Sequence, residues 1–352
     1  GRRQVIRTFR LRTAFVFGAC LASAMLGFPA AHAGPYDAEY VFGDSLSDNG
    51  NLAAALGTTF PNPPSYHDSF TNGPVSVQLL AQSLGLSLNP SLWTTAPAAP
   101  AGTNYAVAGA TSSPMASHGD PAISLPEQVG AFSFYSGGAA DQNALYVIMI
   151  GGNDVRDAAL YQTGTDATDA ITAGVKTEVD EIKALSGEGA KDFLVVNVPN
   201  VGLIPEFTLE NPGDAANATA YSISYDSQLS AGLEGLGLPK GDQLTDFNLF
   251  AFNANILENA GSYGFTNLTQ PCFADTPFSA VSTTGCVPDG PDANISTYLY
   301  WDHIHPTAGV QALWAEGFRA AIPEPSTWSM LLLGFAGMGF AGYASSRKAN
   351  AA

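Results

Sequence analysis

The stretch Ala144-Leu145-Tyr146-Val147-Ile148-Met149-Ile150 runs without a charged or amide side chain and stops at Gly151-Gly152-Asn153-Asp154. An unbroken β-forming run of this length, with no polar alternation, fits a strand covered on both faces. Such strands belong chiefly to parallel sheets flanked by helices. Phe193-Leu194-Val195-Val196-Asn197-Val198 repeats the pattern and ends in Pro199-Asn200, and Val41-Phe42 forms a shorter version that ends at Gly43. Helical sequence is predicted between the two long runs, over about 166–186, and after the second, over about 215–235. A short helix fits Leu52–Leu56, closed by Gly57, and another opens at Asn72-Gly73-Pro74 with Val75, Leu79, Leu80 and Leu84 on one face. A last helix carries Val310, Leu313, Trp314 and Phe318, with Pro306 suited to its first turn. Residues 61–69 and 87–103 read as irregular. The alternation of strand and helix predicts an α/β fold: a doubly wound, mostly parallel sheet with helices on both faces.

Open sheets of this kind bind ligands beyond the carboxyl ends of their strands. Ser45, in Gly43-Asp44-Ser45-Leu46-Ser47-Asp48-Asn49-Gly50-Asn51, follows one such end, and Asn153 follows another. A strand end followed at once by a helix start would set Ser45 Oγ near backbone N–H groups and a positive helix end, which suits a nucleophile whose attack creates an oxyanion. The same residues also make an ordinary βα turn. Near the end of the body, Asp302 and His305 are three apart across a turn. That spacing lets a carboxylate sit on Nδ1 and leaves Nε2 free for the serine. His303 is the rival base, whereas His67 and His118 have no acidic partner suggested by spacing.

The two ends read as processing signals. Residues 1–12 carry five arginines and no acid, 14–28 are apolar, and Ala31-His32-Ala33 fits a cleavage site, so residues 1–33 are expected to be a secretory signal peptide. At the other end, Ile322-Pro323-Glu324-Pro325-Ser326-Thr327 precedes an apolar segment from Trp328 to Tyr343 and then Arg347 and Lys348. This layout resembles the PEP-CTERM sorting signal of Gram-negative bacteria. The resemblance implies an exosortase-type processing partner, with a plain C-terminal anchor as the alternative. Both place the body outside the cytoplasm, secreted or at the cell surface and extracellular matrix by way of the periplasm, with membrane contact only through the terminal segments.

Residues 34–322 are then the single folded domain. They hold six basic residues against 30 acids, a formal charge of −24, which repels nucleic acid and anionic headgroups. Cys272 and Cys286 remain once Cys20 leaves with the leader, and in an oxidising compartment they are expected to pair rather than stay free.

Four stretches in order, Gly43-Asp44-Ser45-Leu46, Gly109 within Ala108-Gly109-Ala110, Gly151-Gly152-Asn153-Asp154 and Asp302-x-x-His305, closely resemble the GDSL, or SGNH, lipases and esterases. Phe70-Thr71-Asn72-Gly73-Pro74 looks most like the branch of the plant-type lipases and autotransporter esterases. The resemblance implies the flavodoxin-like three-layer fold of that family, with Ser45 as nucleophile, His305 as general base and acid, and Asp302 orienting it. It implies an oxyanion hole from the N–H groups of Ser45 and Gly109 and the amide of Asn153, and a mechanism that needs no cofactor and no metal. Asp44 and Asp154 are expected to be structural, and Trp301 and Phe42 suit either the core or an acyl-pocket wall. The implied activity is hydrolysis of small-molecule or lipid carboxylic esters through an acyl-enzyme. Deacetylation of exopolysaccharide or cell-wall glycans and a non-catalytic surface or matrix role are the alternatives. Loops 58–73 and 261–296 are expected to shape the pocket.

Overall fold

The structure is a computed structural model that describes residues 36–114, 120–273 and 295–323. The chain divides into a unit Gly1–Ala33, wholly outside the described residues, and a unit Gly34–Ala352. The second unit runs β1 (Glu39–Gly43), α1 (Asn51–Leu56), α2 (Ser76–Ser83), α3 (Leu125–Ser136), β2 (Leu145–Met149), α4 (Gly152–Tyr161), α5 (Thr165–Glu188) and β3 (Asp192–Val196). It continues with α6 (Ala215–Glu234), β4 (Gln243–Phe247), α7 (Leu249–Glu258), β5 (Asn267–Pro271), β6 (Tyr298–Tyr300) and α8 (Ala308–Ala321).

The main sheet has the order β1-β2-β3-β4, all parallel, with Tyr40 opposite Tyr146, Tyr146 opposite Phe193 and Val196 opposite Phe247. Side chains alternate between its faces. Tyr40, Phe42 and Tyr146 meet Phe132 of α3 on one face, while Phe247 meets Phe318 of α8 on the other. Helices therefore cover both faces, which is why every residue of β2 is buried and its sequence shows no alternation.

A fifth line of parallel pairing lies on the far side of β1. Val41 N donates to Thr103 O, Tyr105 N to Val41 O and Val107 N to Gly43 O. The chain thus turns back across β1 before crossing to β2, so β1 and β2 flank the topological switch point where open α/β sheets place their ligand crevice.

Several sequence expectations change. Residues 103–107, for which no strand was expected, pair with β1. The edge strand β4 was not legible, because Gln243-Leu244-Thr245-Asp246-Phe247 is half exposed and lacks an apolar run. Helix α8 starts at Ala308 with Thr307 as its cap, so Pro306 lies ahead of the helix rather than in its first turn. Leu79 of α2 is only half-buried, and Val77 and Ala81 are buried with Leu80 instead. Trp301 and Phe42 are both fully buried packing residues, Trp301 stacked on Phe273 with ring centroids 5.3 Å apart. Cys272 is disulfide-bonded, and Cys286, its expected partner, lies outside the described residues, as do His118 and both processing segments.

Candidate active site

Strand β1 ends at Gly43, a position where no larger residue fits. A Cβ would lie 2.4 Å from Met149 O on β2. The buried Gln128 of α3 grips the same glycine, accepting from its N–H at 2.9 Å and donating to its carbonyl at 2.8 Å. The chain then makes a tight turn, with Ser47 N and Asp48 N donating to Asp44 O and Leu46 N donating to Asp44 Oδ1. Ser45 sits in that turn. Helix α1 begins only at Asn51, so the expected helix start at Ser45 is not there. The helix that begins at the site is α4, whose Gly152 and Asn153 line the same cavity as Ser45.

Asp48 and its neighbours tie this turn to the loop that follows the Thr103–Val107 stretch. The buried Asp48 carboxylate accepts from the N–H groups of Gly50, Asn51, Leu52 and, across the gap, Ala108. Asn51 Nδ2 donates to the carbonyls of Asn104 and Ala106, while Asn104 Nδ2 donates to Ser47 O. These three residues stand in or beside the quoted motifs, but nothing in spacing alone assigned them this work. The evident signal was an excess of short amide and carboxylate side chains around Ser45.

The imidazole arrives from the opposite end of the chain. Trp301 N donates to His305 O, and Thr307 N to Leu299 O, folding residues 301–306 back on β6. Within the turn, the buried Asp302 accepts from the N–H groups of Ile304 (2.8 Å) and His305 (2.7 Å) and lies 2.8 and 2.9 Å from His305 Nδ1. Carboxylate and ring are thus oriented by the same short loop. His305 Nε2 is 2.8 Å from Ser45 Oγ, and the Phe70 ring lies 5.1 Å from the imidazole. The rival base, His303, faces elsewhere, with Nδ1 2.7 Å from Glu210 Oε1.

Of the three expected oxyanion donors, Ser45 and Asn153 share the cavity. One N–H of the Asn153 amide goes to Ala110 O at 2.8 Å, and a primary amide nitrogen carries a second. Gly109 sits at φ +85° in the turn closed by Ala110 N and Val107 O. It is not among the cavity-lining residues, but its two neighbours are tied to the site, Ala108 by Asp48 and Ala110 by Asn153.

Two buried carboxyls stand beside these groups. Burial pushes Asp44 up to about 6, an effect eased by the Leu46 N–H and by His305. Burial likewise pushes Asp154 up to about 7, against the N–H groups of Ser112 and Ser113. Both form structural hydrogen bonds, as the motif residues suggested.

The cavity measures about 300 Å³ and is mainly apolar, walled by Leu46, Val201, Ile204, Ile256, Leu257 and Val310. Its outer wall is α7, a helix the sequence reading did not single out. None of the described residues of 58–73 and 261–296 lines this cavity, although Phe70 packs against His305, and residues 274–294 lie outside the described residues. Arg156, also lining it, forms a two-pronged ion pair with Glu206.

Comparison with known proteins sets this geometry in a family. The chain is similar to Lipase 1 of Photorhabdus luminescens, 34% identical over 209 residues, a match that covers 58% of this chain and 29% of that protein. It thus spans less than a third of that relative's length. It is also similar to a GDSL lipase of Tanacetum cinerariifolium, 27% identical over 304 residues, covering 79% of this chain and 82% of the relative. A solved extracellular lipase from Streptomyces rimosus covers 81% of this chain and 99% of its own, at 15% identity and a TM-score of 0.36. Residues 321–348 match the PEP-CTERM protein-sorting motif. Residues 40–318, most of the chain, match the family described as GDSL-like Lipase/Acylhydrolase, and the chain belongs to that family.

Proposed function

We propose that the chain is an exported serine ester hydrolase in which Ser45, His305 and Asp302 form the catalytic set. The observation that carries this reading is the 2.8 Å contact between Ser45 Oγ and His305 Nε2, with Asp302 on the other ring nitrogen. As Ser45 Oγ attacks the ester carbonyl, its proton passes to His305 Nε2, and the Asp302 carboxylate stabilises the imidazolium. The oxyanion receives N–H groups from Ser45, Gly109 and the free Asn153 amide hydrogen. Collapse breaks the C–O bond of the alcohol, which leaves with the proton from His305. Water, deprotonated by the same imidazole, then releases the acid and restores Ser45.

The apolar cavity beside Ser45 supports an acyl chain as the group held during reaction, rather than the acetyl group of a decorated glycan. Burying each methylene is worth about 0.8 kcal/mol, or about fourfold in kcat/KM, until the space is filled. The sorting motif supports export with an exosortase-type enzyme as processing partner, leaving about 34–322 as the mature body outside the cytoplasm. Pairing of Cys272 with Cys286 belongs to the same reading. A fluorophosphonate probe should label wild type on Ser45 and leave Ser45→Ala unlabelled. A panel of acetyl, butyryl and octanoyl esters and acetylated glycan should show kcat/KM rising with acyl length. Full hydrolysis by Ser45→Ala overturns the nucleophile, and preference for acetylated glycan overturns the acyl-chain reading.

A further inference from the structure

Behind the site, the buried residues Asp154, Ser112, Tyr225 and Glu178 are joined in a row, the first link through the Ser112 backbone N–H, and have no part in the reaction described above. Asp154, next to Asn153 in α4, accepts from the N–H groups of Ser112 (2.8 Å) and Ser113 (3.4 Å). Ser112 Oγ lies 2.6 Å from the Tyr225 hydroxyl, which donates to Glu178 Oε2 at 2.6 Å. The row therefore runs from α4 through the loop after Val107 to α6 and then to α5. The Tyr225 ring also stands against the βα turn, where a Cβ on Gly151 would come within 2.6 Å of it.

Two carboxyls are thus buried without an ion pair to either among the described residues. Hydroxyls can donate in either direction, so the Ser112 and Tyr225 hydroxyls are both paired, while Glu178 Oε1 has no hydrogen-bond partner. Burial raises Glu178 to about 8, and Asp154, Asp226 and Asp246 facing it push the same way. Burial raises Asp154 as well. Burying such a row is costlier than an apolar core of the same shape. What it holds is specific: Ser112 is three residues from Gly109, Asp154 is adjacent to Asn153, and Asn153 reaches Ala110 between them.

We propose that the Asp154–Ser112–Tyr225–Glu178 row is a positioning network that fixes the loop bearing Gly109 against the start of α4 bearing Asn153, and so aligns the two oxyanion donors that lie outside the nucleophile turn. The proposal rests on the catalytic reading given above. These are positioning residues, since none reaches the reacting atoms. Donors that act mainly on the transition state change kcat rather than KM when displaced.

The test uses the full chain with a soluble p-nitrophenyl ester, comparing wild type, Tyr225→Phe, Ser112→Ala, Asn153→Ala and the Tyr225→Phe/Asn153→Ala double variant. Tyr225→Phe keeps the ring against Gly151 and removes one hydroxyl. Ser112→Ala keeps the backbone bond to Asp154. Each single network variant should lose about fivefold in kcat with KM unchanged, and fluorophosphonate labelling should slow in parallel. In the Asn153→Ala background the Tyr225→Phe loss should shrink, because one of the donors it aligns is gone. Unchanged kcat in a folded Tyr225→Phe or Ser112→Ala protein overturns the proposal. So does a rise in KM alone, or two losses that multiply in full. If neither variant folds, Glu178→Gln is tested in the same way, and failure of all three to fold makes the row a stability element and ends the proposal. Ser45→Ala is run alongside, and activity there overturns the catalytic reading itself rather than the network.

Discussion

His305 can act as a base on Ser45 because its other nitrogen is already committed to Asp302. Replacing Asp302 by Asn leaves a similar shape but allows the imidazole to turn its proton towards the serine. Asp302→Asn should therefore lower kcat by something on the order of 10⁴-fold at neutral pH, by analogy with other hydrolases that use this arrangement. Steady-state hydrolysis of a p-nitrophenyl ester measures it, and a loss under tenfold would rule out that role. Asn153→Ala removes an amide that faces the cavity, and a loss of about 10²-fold in kcat with little change in KM is expected from the same assay. Ser45, His305 and Asn153 could be picked from sequence because each stands beside a strand end or within a short spaced motif. Spacing alone did not exclude His303 as the rival base, because both lie within reach of a carboxylate along the chain, and only the Asp302-x-x-His305 motif favoured His305. It took Glu210, distant in sequence, to occupy the first and leave the second at Ser45.

The turns that leave β1 and β2 do more for the site than the strands themselves. Gly151 adopts φ +103° and has the Tyr225 ring 2.6 Å from where a Cβ would stand. Gly151→Ala should destabilise the fold by at least ~2 kcal/mol, from backbone strain and overpacking together, as read by urea unfolding. A midpoint unchanged from wild type would show that the turn tolerates a side chain. The buried strands β2 and β3 were legible because full burial removes alternation and leaves an apolar run. The edge strand β4 and the pairing at 103–107 left no such trace, since strands with one open side or a small-residue composition look like loops. Helix α7 was missed because its apolar residues divide between the core, where Leu249 and Ile256 are buried, and the cavity, which Phe250 and Leu257 line.

Across the molecule, burial leaves a set of carboxyls raised: Asp44 to about 6, Asp154 to about 7, and Glu178 and Asp226 to about 8. Glu39, buried with both oxygens unbonded, is raised well above its usual value by desolvation. For each, the folded state holds a proton that the unfolded chain releases above about pH 4. The stability they contribute is full below that pH and is lost as pH rises through 6 to 8. Repulsion within a body of formal charge −24 acts in the same direction. Thermal unfolding should therefore show a higher Tm at pH 5.5 than at pH 8.5, and Glu39→Gln should narrow the gap. A Tm that climbs between those values would contradict this.

The local code carried the class of fold and pointed to the groups proposed to react, because strand burial and turn chemistry are written in residues close together along the chain. It could not say where the sheet reverses, which side chains frame the cavity beside Ser45, or what keeps His303 away from the serine. Those depend on contacts between segments up to 260 residues apart, and long-range packing leaves no periodic mark on either partner.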